Sequence, residues 1–476
     1  MKRTLLILTA LLMLVVVLLA ACGKDATEGE SDVQSEAVSS GFSAGESAGA
    51  STESSKEASK AESVESSKAG SAESSKEQTV ENSEKPDESS DDPVEELPEG
   101  AIELLFTRYT EGKKGAVLFG TCALGAQVTV TVGDESITVD SYMGYFAATF
   151  ENPPALFSAT FTQTVDGKPF DEPRTYRAKP EVSPMSYEQE VIASNEQFQF
   201  FLSKMLPDYE GWNLFGDQEI QSMISRIQGR LETVHAYNPN AEIIYMVVPS
   251  PMTIYPELVP DIYTKAASGD TRLDQVLAGL NKSGATVIDL RKTFKAHKYD
   301  EMPLYYKLDS HWADYGAYLA YVALFEHISE KFPDAAPRGM EDFNWTADYY
   351  KSADVIMYLG YPQDGVKEYG YYREYNIEIP GVINTYPRYR LPQLLYSDQS
   401  TYEITMRTNR SNLPSCMVFR DSYGAGIYDL IPERMDTTHY IGMWNYSWNN
   451  KQIQNEQPDY IIYLLAEFNL HEVVYR

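Results

Sequence analysis

Between Ala101 and Pro184 apolar and polar positions alternate with a period of two. Gln127-Val128-Thr129-Val130-Thr131-Val132 alternates strictly, Gly133-Asp134 supplies a turn, and Ser136-Ile137-Thr138-Val139 resumes the pattern. Tyr145 to Phe150 and Phe157 to Phe161 repeat it, with turn residues between. Successive side chains of a strand point to opposite faces, so each run predicts a half-buried strand. Short strands at this spacing predict a small all-β sandwich over residues 101–184.

After Pro184 the period changes. Tyr187 to Leu206 and Gln218 to Tyr237 carry apolar residues at helical spacing and predict helices. Ile243-Ile244-Tyr245-Met246-Val247-Val248 is instead an unbroken apolar run, stopped by Pro249. A helix from about Thr271 to Lys282 leads to Ala285 to Leu290, and Cys416 to Phe419, His439 to Met443 and Tyr460 to Leu465 are further strand candidates. Unbroken apolar runs that alternate with helices predict a parallel sheet covered on both faces, an α/β three-layer domain over residues 185–476. The Tyr-, Pro- and Asn-rich stretch from Phe332 to Pro414 is too long for a connection. It predicts an insertion at about 335–413, beside the site and with some β structure. Its tyrosines, including Tyr386 and Tyr389, suit either contact with sugar rings or packing of the insertion itself.

The first hundred residues belong to neither pattern. Lys2 and Arg3 precede an apolar run from Leu5 to Leu19, followed by Leu19-Ala20-Ala21-Cys22. That is the layout of a signal peptide (residues 1–22), and it resembles the cleavage site of bacterial lipoprotein precursors. The resemblance implies that Cys22 becomes a lipidated N-terminus, anchoring the chain on the extracytoplasmic side of the cell membrane. Residues 23–100 hold 21 acidic and 6 basic residues and repeat Glu-Ser-Ser-Lys at 53–56, 65–68 and 73–76. Nothing there can bury a core, so a disordered, self-repelling tether is expected. The whole chain carries a net charge of −31. With no basic patch, this argues against nucleic acid as a partner. Besides Cys22 the cysteines are Cys122 and Cys416, both in apolar runs, and two buried thiols are expected rather than a disulfide.

Chemistry concentrates in two places. Leu308-Asp309-Ser310-His311-Trp312 is followed about 110 residues later by Phe419-Arg420-Asp421-Ser422-Tyr423-Gly424. They supply the acid, base and hydroxyl that a serine acyl-transfer site needs. In an extended segment Asp309 and His311 project to one side, so Asp309 can orient the ring and leave the other nitrogen for Ser422. Ser422 follows a buried strand and precedes a Gly-rich turn, where backbone N–H groups from Ser422 to Gly424 could meet an oxyanion. Asp421 suits a helix cap or a turn brace. Arg420 suits an anionic substrate or a pairing with Asp421, and Trp312 a wall of the site or, more naturally, an anchor for its loop. The helix after Trp312 presents Tyr315, Tyr318, Leu319, Val322 and Phe325 along one face. No His-Glu-x-x-His or Cys-x-x-Cys spacing occurs, so neither a metal nor a cofactor is expected.

Taken together, these segments resemble the SGNH hydrolase-like superfamily, in the branch of alginate-type O-acetyltransferases and the DHHW proteins. The resemblance spans roughly Tyr187 to the C-terminus. It rests on Lys307 to Trp312 with Gly316-Ala317-Tyr318, and on Arg420 to Gly424. Two weaker segments join them: Val248-Pro249 with Ile254 to Glu257, and Pro458 to Ile462 with Glu467 and Asn469. The Asp-x-His pair precedes the Ser, as in that branch. Ser310 stands in place of the first His of Asp-His-His-Trp, and Arg420 where Gly often precedes Asp-Ser. The resemblance implies acetyl transfer to hydroxyls of a cell-surface or exported polysaccharide through Ser422, His311 and Asp309. It also implies a membrane-bound O-acyltransferase partner as acetyl source. The same residues would serve a carbohydrate acetylesterase, and a non-catalytic glycan-binding lipoprotein could keep the fold. The β-rich segment resembles, in pattern only, the immunoglobulin-like modules of bacterial surface proteins, whose role here is either spacing or carbohydrate contact.

Overall fold

The computed structural model describes residues 97–182, 190–267, 269–350, 354–362, 366, 368–379, 381–385, 403–442 and 448–476. The expected signal peptide, Cys22, nearly all of the tether, and Tyr386 and Tyr389 lie outside them. The described residues belong to one compact unit, Asp91–Arg476. No helix among them is long and apolar enough to cross a membrane.

The alternating runs form strands where their period places them. They are β1 (Glu103–Tyr109), β2 (Gly115–Thr121), β3 (Gln127–Val132), β4 (Glu135–Asp140), β5 (Tyr145–Glu151), β6 (Phe157–Val165), β7 (Lys168–Pro169) and β8 (Arg174–Ala178). They make two antiparallel sheets, β1-β2-β5 and β4-β3-β6-β7, with β8 also paired to β6. Val128, Val130, Phe146, Ala148, Phe150, Ala159 and Phe161 point between the sheets as one apolar cluster. The polar partners face water, where Thr129 meets Thr138 and Thr160 meets Thr175 across strand pairs.

The helix expected over Tyr187 to Leu206 is not formed. A buried hairpin, β9 (Val191–Ala193) and β10 (Phe200–Leu202), stands there instead, followed by a short helix, Leu206–Glu210. Residues 187–189 of that expectation lie outside the described residues. The reason is burial on both sides. All three residues of each strand are buried, whereas a surface helix needs one polar face. The β2–β5 sheet covers the hairpin, with Val117, Phe119, Ala147, Phe198 and Phe200 in one continuous cluster that extends into the α/β part. Asn195 seals the junction, accepting from Thr149 N–H at 2.7 Å and donating to Thr149 O at 3.0 Å.

The α/β part is built on a seven-stranded sheet. Its strands are β11 (Glu242–Val248), β12 (Thr286–Asp289), β15 (Ile383–Thr385), β16 (Glu403–Arg407), β17 (Ser415–Arg420), β18 (Thr437–Gly442) and β19 (Tyr460–Ala466), and a separate hairpin pairs β13 (Phe343–Tyr350) with β14 (Glu368–Tyr375). The sheet order is β12-β11-β19-β17-β18-β16-β15. The first five strands are parallel, as the unbroken apolar runs predict. Two strands from the insertion, where some β structure was expected, extend one edge in antiparallel pairing. Helices α1 (Asp217–His235) and α2 (Arg272–Ser283) cover one face through Ile227, Val276 and Leu280. Helix α3 (Asp314–Ser329) covers the other. It buries Tyr321, Leu324 and Ile328 besides four residues of the expected face, and Val322 is only half-buried. A single stripe would suffice against the sheet alone. The insertion packs on α3 too, with Trp345 against Tyr315 and Tyr318.

Candidate active site

Ser422 lies one residue beyond Asp421 at the carboxyl end of β17, a strand flanked by β18 and β19. Sites in parallel α/β sheets gather at that end. The Gly-rich segment forms a six-residue 3-10 helix, Ser422–Ile427, with Asp421 as its N-cap. Asp421 is buried, and its carboxylate accepts from Tyr423 N–H at 2.9 Å, Ala466 N–H at 2.7 Å and Asn469 Nδ2 at 2.8 Å. It therefore braces the turn against the end of β19. Burial holds its carboxyl above the usual range despite those three bonds.

Arg420 does not reach outward. It is buried, donates to Asp421 O at 3.3 Å, and its guanidinium lies 5.8 Å from the centre of the Tyr428 ring. Its stem packs on Gly424, where a Cβ would come within 2.6 Å of Arg420 Cδ. Arg at 420 and Gly at 424 are thus matched, and the bond from Arg420 to Asp421 goes to the backbone carbonyl. Of the expected oxyanion donors, Tyr423 N–H is taken by the Asp421 carboxylate, and Gly424 N–H donates to Asp421 O at 3.2 Å. Ser422 N–H remains, with no partner among the described residues.

The His311 loop is a tight bend, not the extended segment expected. Tyr305 and Trp312 form an isolated antiparallel bridge, and Ala313 N–H donates to Leu304 O at 2.8 Å. Within the bend Asp309 Oδ1 accepts from the backbone N–H of His311 at 3.0 Å. That is an Asx turn, and it brings the two side chains together as alternation along a strand would have done. Asp309 is buried, and the same Oδ1 lies 2.7 Å from His311 Nδ1. His311 Nε2 lies 2.8 Å from Ser422 Oγ. Burial alone would lower the basicity of the imidazole. Asp309, then Asp354 and Asp421, outweigh it and hold the His311 pKa above its ordinary value.

Two cross-links fasten the loops. Trp312 is buried, and its Nε1–H donates to Tyr423 O at 2.9 Å. Tyr423 hydroxyl in turn donates to Ser310 O. Trp312 is therefore an anchor, the more natural of its two expected roles. The weaker segments meet behind the site. Glu467 accepts from Ser250 N–H at 2.7 Å and from Thr253 hydroxyl, while Tyr305 hydroxyl donates to Pro249 O at 2.6 Å. Cys122 and Cys416 are buried free thiols, each pushed up to about 12 by burial.

Sequence reasoning missed two carboxylates from the insertion. Glu368, at the start of β14, accepts from the backbone N–H groups of Lys307 and Leu308, the latter at 2.8 Å. Burial raises its pKa to about 7. Asp354, the first residue of helix α4 (Asp354–Tyr358), accepts from Ser310 N–H at 2.7 Å and Ser310 hydroxyl at 2.5 Å. Ser310 thus turns toward Asp354, away from Ser422. Neither acid lies near the motif in sequence, and no local pattern marks them. Asp309, His311 and Asp354 place possible ligand atoms within 4.8 Å of one another. In this structure the same atoms are hydrogen-bonded, His311 to Asp309 and Asp354 to Ser310.

Residues 211–378, about a third of the chain, match the family model of the SGNH hydrolase-like domain of acetyltransferase AlgX. No curated protein matches the chain. Among solved structures, Bacillus cereus PatB1 with a sulfonyl adduct is similar at 17% identity and TM-score 0.47, covering 59% of this chain and 96% of that one. The O-acetyltransferase domain of Pseudomonas putida AlgJ is similar at 16% identity and TM-score 0.40, covering 60% and 92%. A DHHW family protein from Eubacterium siraeum is similar at 12% identity and TM-score 0.40, covering 66% and 94%. These structural likenesses are too distant to carry an argument about chemistry. The match over 211–378 takes in α1, β11, α2 and the His311 loop, and over these residues the chain is similar to an SGNH hydrolase-like domain.

Proposed function

We propose that this protein is an extracytoplasmic O-acetyltransferase that moves acetyl groups onto hydroxyls of a cell-surface or exported polysaccharide. One observation carries the reading: a single imidazole stands 2.7 Å from Asp309 and 2.8 Å from Ser422 Oγ. His311 Nε2 takes the Ser422 proton as Oγ attacks the acetyl carbonyl, while Asp309 fixes the ring and steadies the imidazolium. Ser422 N–H meets the oxyanion. Collapse of the tetrahedral species expels the donor's leaving group, protonated by His311, and leaves an acetyl-Ser422 ester. A sugar hydroxyl then attacks that ester with His311 again as base, and collapse breaks the Oγ–acyl bond while the imidazolium returns the proton to Ser422.

The Cys22 site and the acidic tether in the sequence support a lipid-anchored enzyme at the outer face of the cell membrane. A membrane-bound O-acyltransferase would supply the acetyl group from inside. The test uses purified protein, 4-nitrophenyl acetate as donor and a panel of oligosaccharide acceptors. Acetylated oligosaccharide should form with the wild type. Ser422→Ala and His311→Ala should each lower the rate by about 10⁴-fold or more. Acetate release that no acceptor alters would make the protein an esterase instead. Turnover that survives Ser422→Ala would remove the enzyme reading altogether.

A further inference from the structure

We propose that Asp354, carried by the insertion, is a second carboxylate serving His311, so that the imidazole works between two acids rather than one. The inference rests on the functional reading above and adds a positioning residue to it. Asp354 Oδ2 lies 4.0 Å from His311 Nδ1, the nitrogen that Asp309 already holds at 2.7 Å. Its place is fixed by residue 310, between the two partners: Ser310 donates its N–H to Oδ1 at 2.7 Å and its hydroxyl to Oδ2 at 2.5 Å. Any shift of the catalytic bend therefore carries Asp354 with it.

The arrangement has an electrostatic consequence. When Nε2 takes the Ser422 proton the ring becomes a cation, and a fixed carboxylate at 4.0 Å stabilises that cation without moving. Asp421 also acts on the ring, but its oxygens are bound to Tyr423, Ala466 and Asn469. Lys204 offsets part of this negative charge, since it interacts with both Asp354 and Asp421. Tyr423 packs its ring 5.1 Å from the imidazole and is neutral, burial holding its hydroxyl far above neutrality. The acidic groups facing His311 are thus Asp309, Asp354 and Asp421, with Lys204 behind the last two. Burial raises the pKa of Asp354, with Asp309 adding to it and His311 opposing, as expected for two acids that share one cation.

The test is hydrolysis of 4-nitrophenyl acetate, which needs no glycan, by wild type, Asp354→Asn, Asp309→Asn, the double variant and Ser310→Ala, across pH. Asp354→Asn should lower kcat about tenfold at unchanged KM and move the acid limb of kcat/KM to lower pH. With Asp354 in place, Asp309→Asn should lose about 10²-fold, and the double variant about 10⁴-fold. Ser310→Ala keeps the charge and gives up one hydrogen bond, so its acid limb should stay at the wild-type position. Thermal melts confirm which variants are folded. An Asp354→Asn enzyme with wild-type kcat and an unmoved limb would overturn the proposal, as would equal limbs in Asp354→Asn and Ser310→Ala. A wild type that releases no 4-nitrophenolate through Ser422 would instead sink the functional reading on which it rests.

Discussion

Trp312 does at the scale of one residue what the site needs most, which is to keep two distant loops in register. Its Nε1–H reaches Tyr423 O at 2.9 Å, next to Ser422, from the residue after His311. Trp312→Phe retains most of the apolar surface but strands a buried carbonyl. It should cost about 1–3 kcal/mol in a denaturant melt and lower kcat more than it alters KM. Unchanged stability and rate would show that other contacts suffice. Asp309, His311 and Ser422 were legible in the sequence because the Asp-x-His-Trp and Asp-Ser-x-Gly spacings are short and ordered. How Asp309 meets His311 was not legible: the spacing implies a strand, and the structure uses an Asx turn. Arg420 was ambiguous for a related reason. Its direction depends on the space left by Gly424 below the turn, which no linear pattern encodes.

Among elements, helix α3 and the insertion decide how rigid the His311 bend is. Gly316 on α3 sits against the bend, and a Cβ there would come within 2.4 Å of Leu304 O. Gly316→Ala should therefore destabilise the protein by about 1–3 kcal/mol and depress activity through the displaced bend. A melt within error of wild type would mean that the contact relaxes freely. On the other side Glu368 holds Lys307 and Leu308. Burial lifts its pKa from 4.5 to about 7, so the folded state binds its proton more tightly than the unfolded chain. That contribution is complete below about 4.5 and is lost as pH rises through about 7. Melting temperatures of wild type should fall relative to Glu368→Gln over this window, and parallel curves would refute it. Strands of the parallel sheet were readable as apolar runs. The hairpin of β9 and β10 was not, because its residues are apolar on both sides and so mimic a helix pattern until a covering sheet is known.

For the molecule as a whole, the β-rich segment is fastened to the α/β part by specific contacts. Phe119 stacks on Phe106 and meets Phe200 of the hairpin, and Arg108 Nε donates to Leu359 O beyond α4 at 2.9 Å. Tyr142 hydroxyl accepts from Tyr369 N–H at 3.0 Å, beside Glu368. A truncation that begins at residue 190 exposes this apolar face and removes support from the insertion. It should be poorly soluble or slow toward 4-nitrophenyl acetate, and a soluble, fully active fragment would return the segment to a spacer. Its two-sheet form was plain from the alternation. Its grip on the insertion was hidden, since the contacts join residues more than two hundred positions apart. In the proposed reaction Ser422 carries the acetyl group. Intact-mass spectrometry after brief mixing with excess acetyl donor and an acid quench tests it most directly. The wild type should gain one acetyl group, mapped to the peptide containing Ser422, and Ser422→Ala should gain none. Donor consumed with no adduct on Ser422, or an equal adduct on Ser422→Ala, would exclude Ser422 as the acetyl carrier.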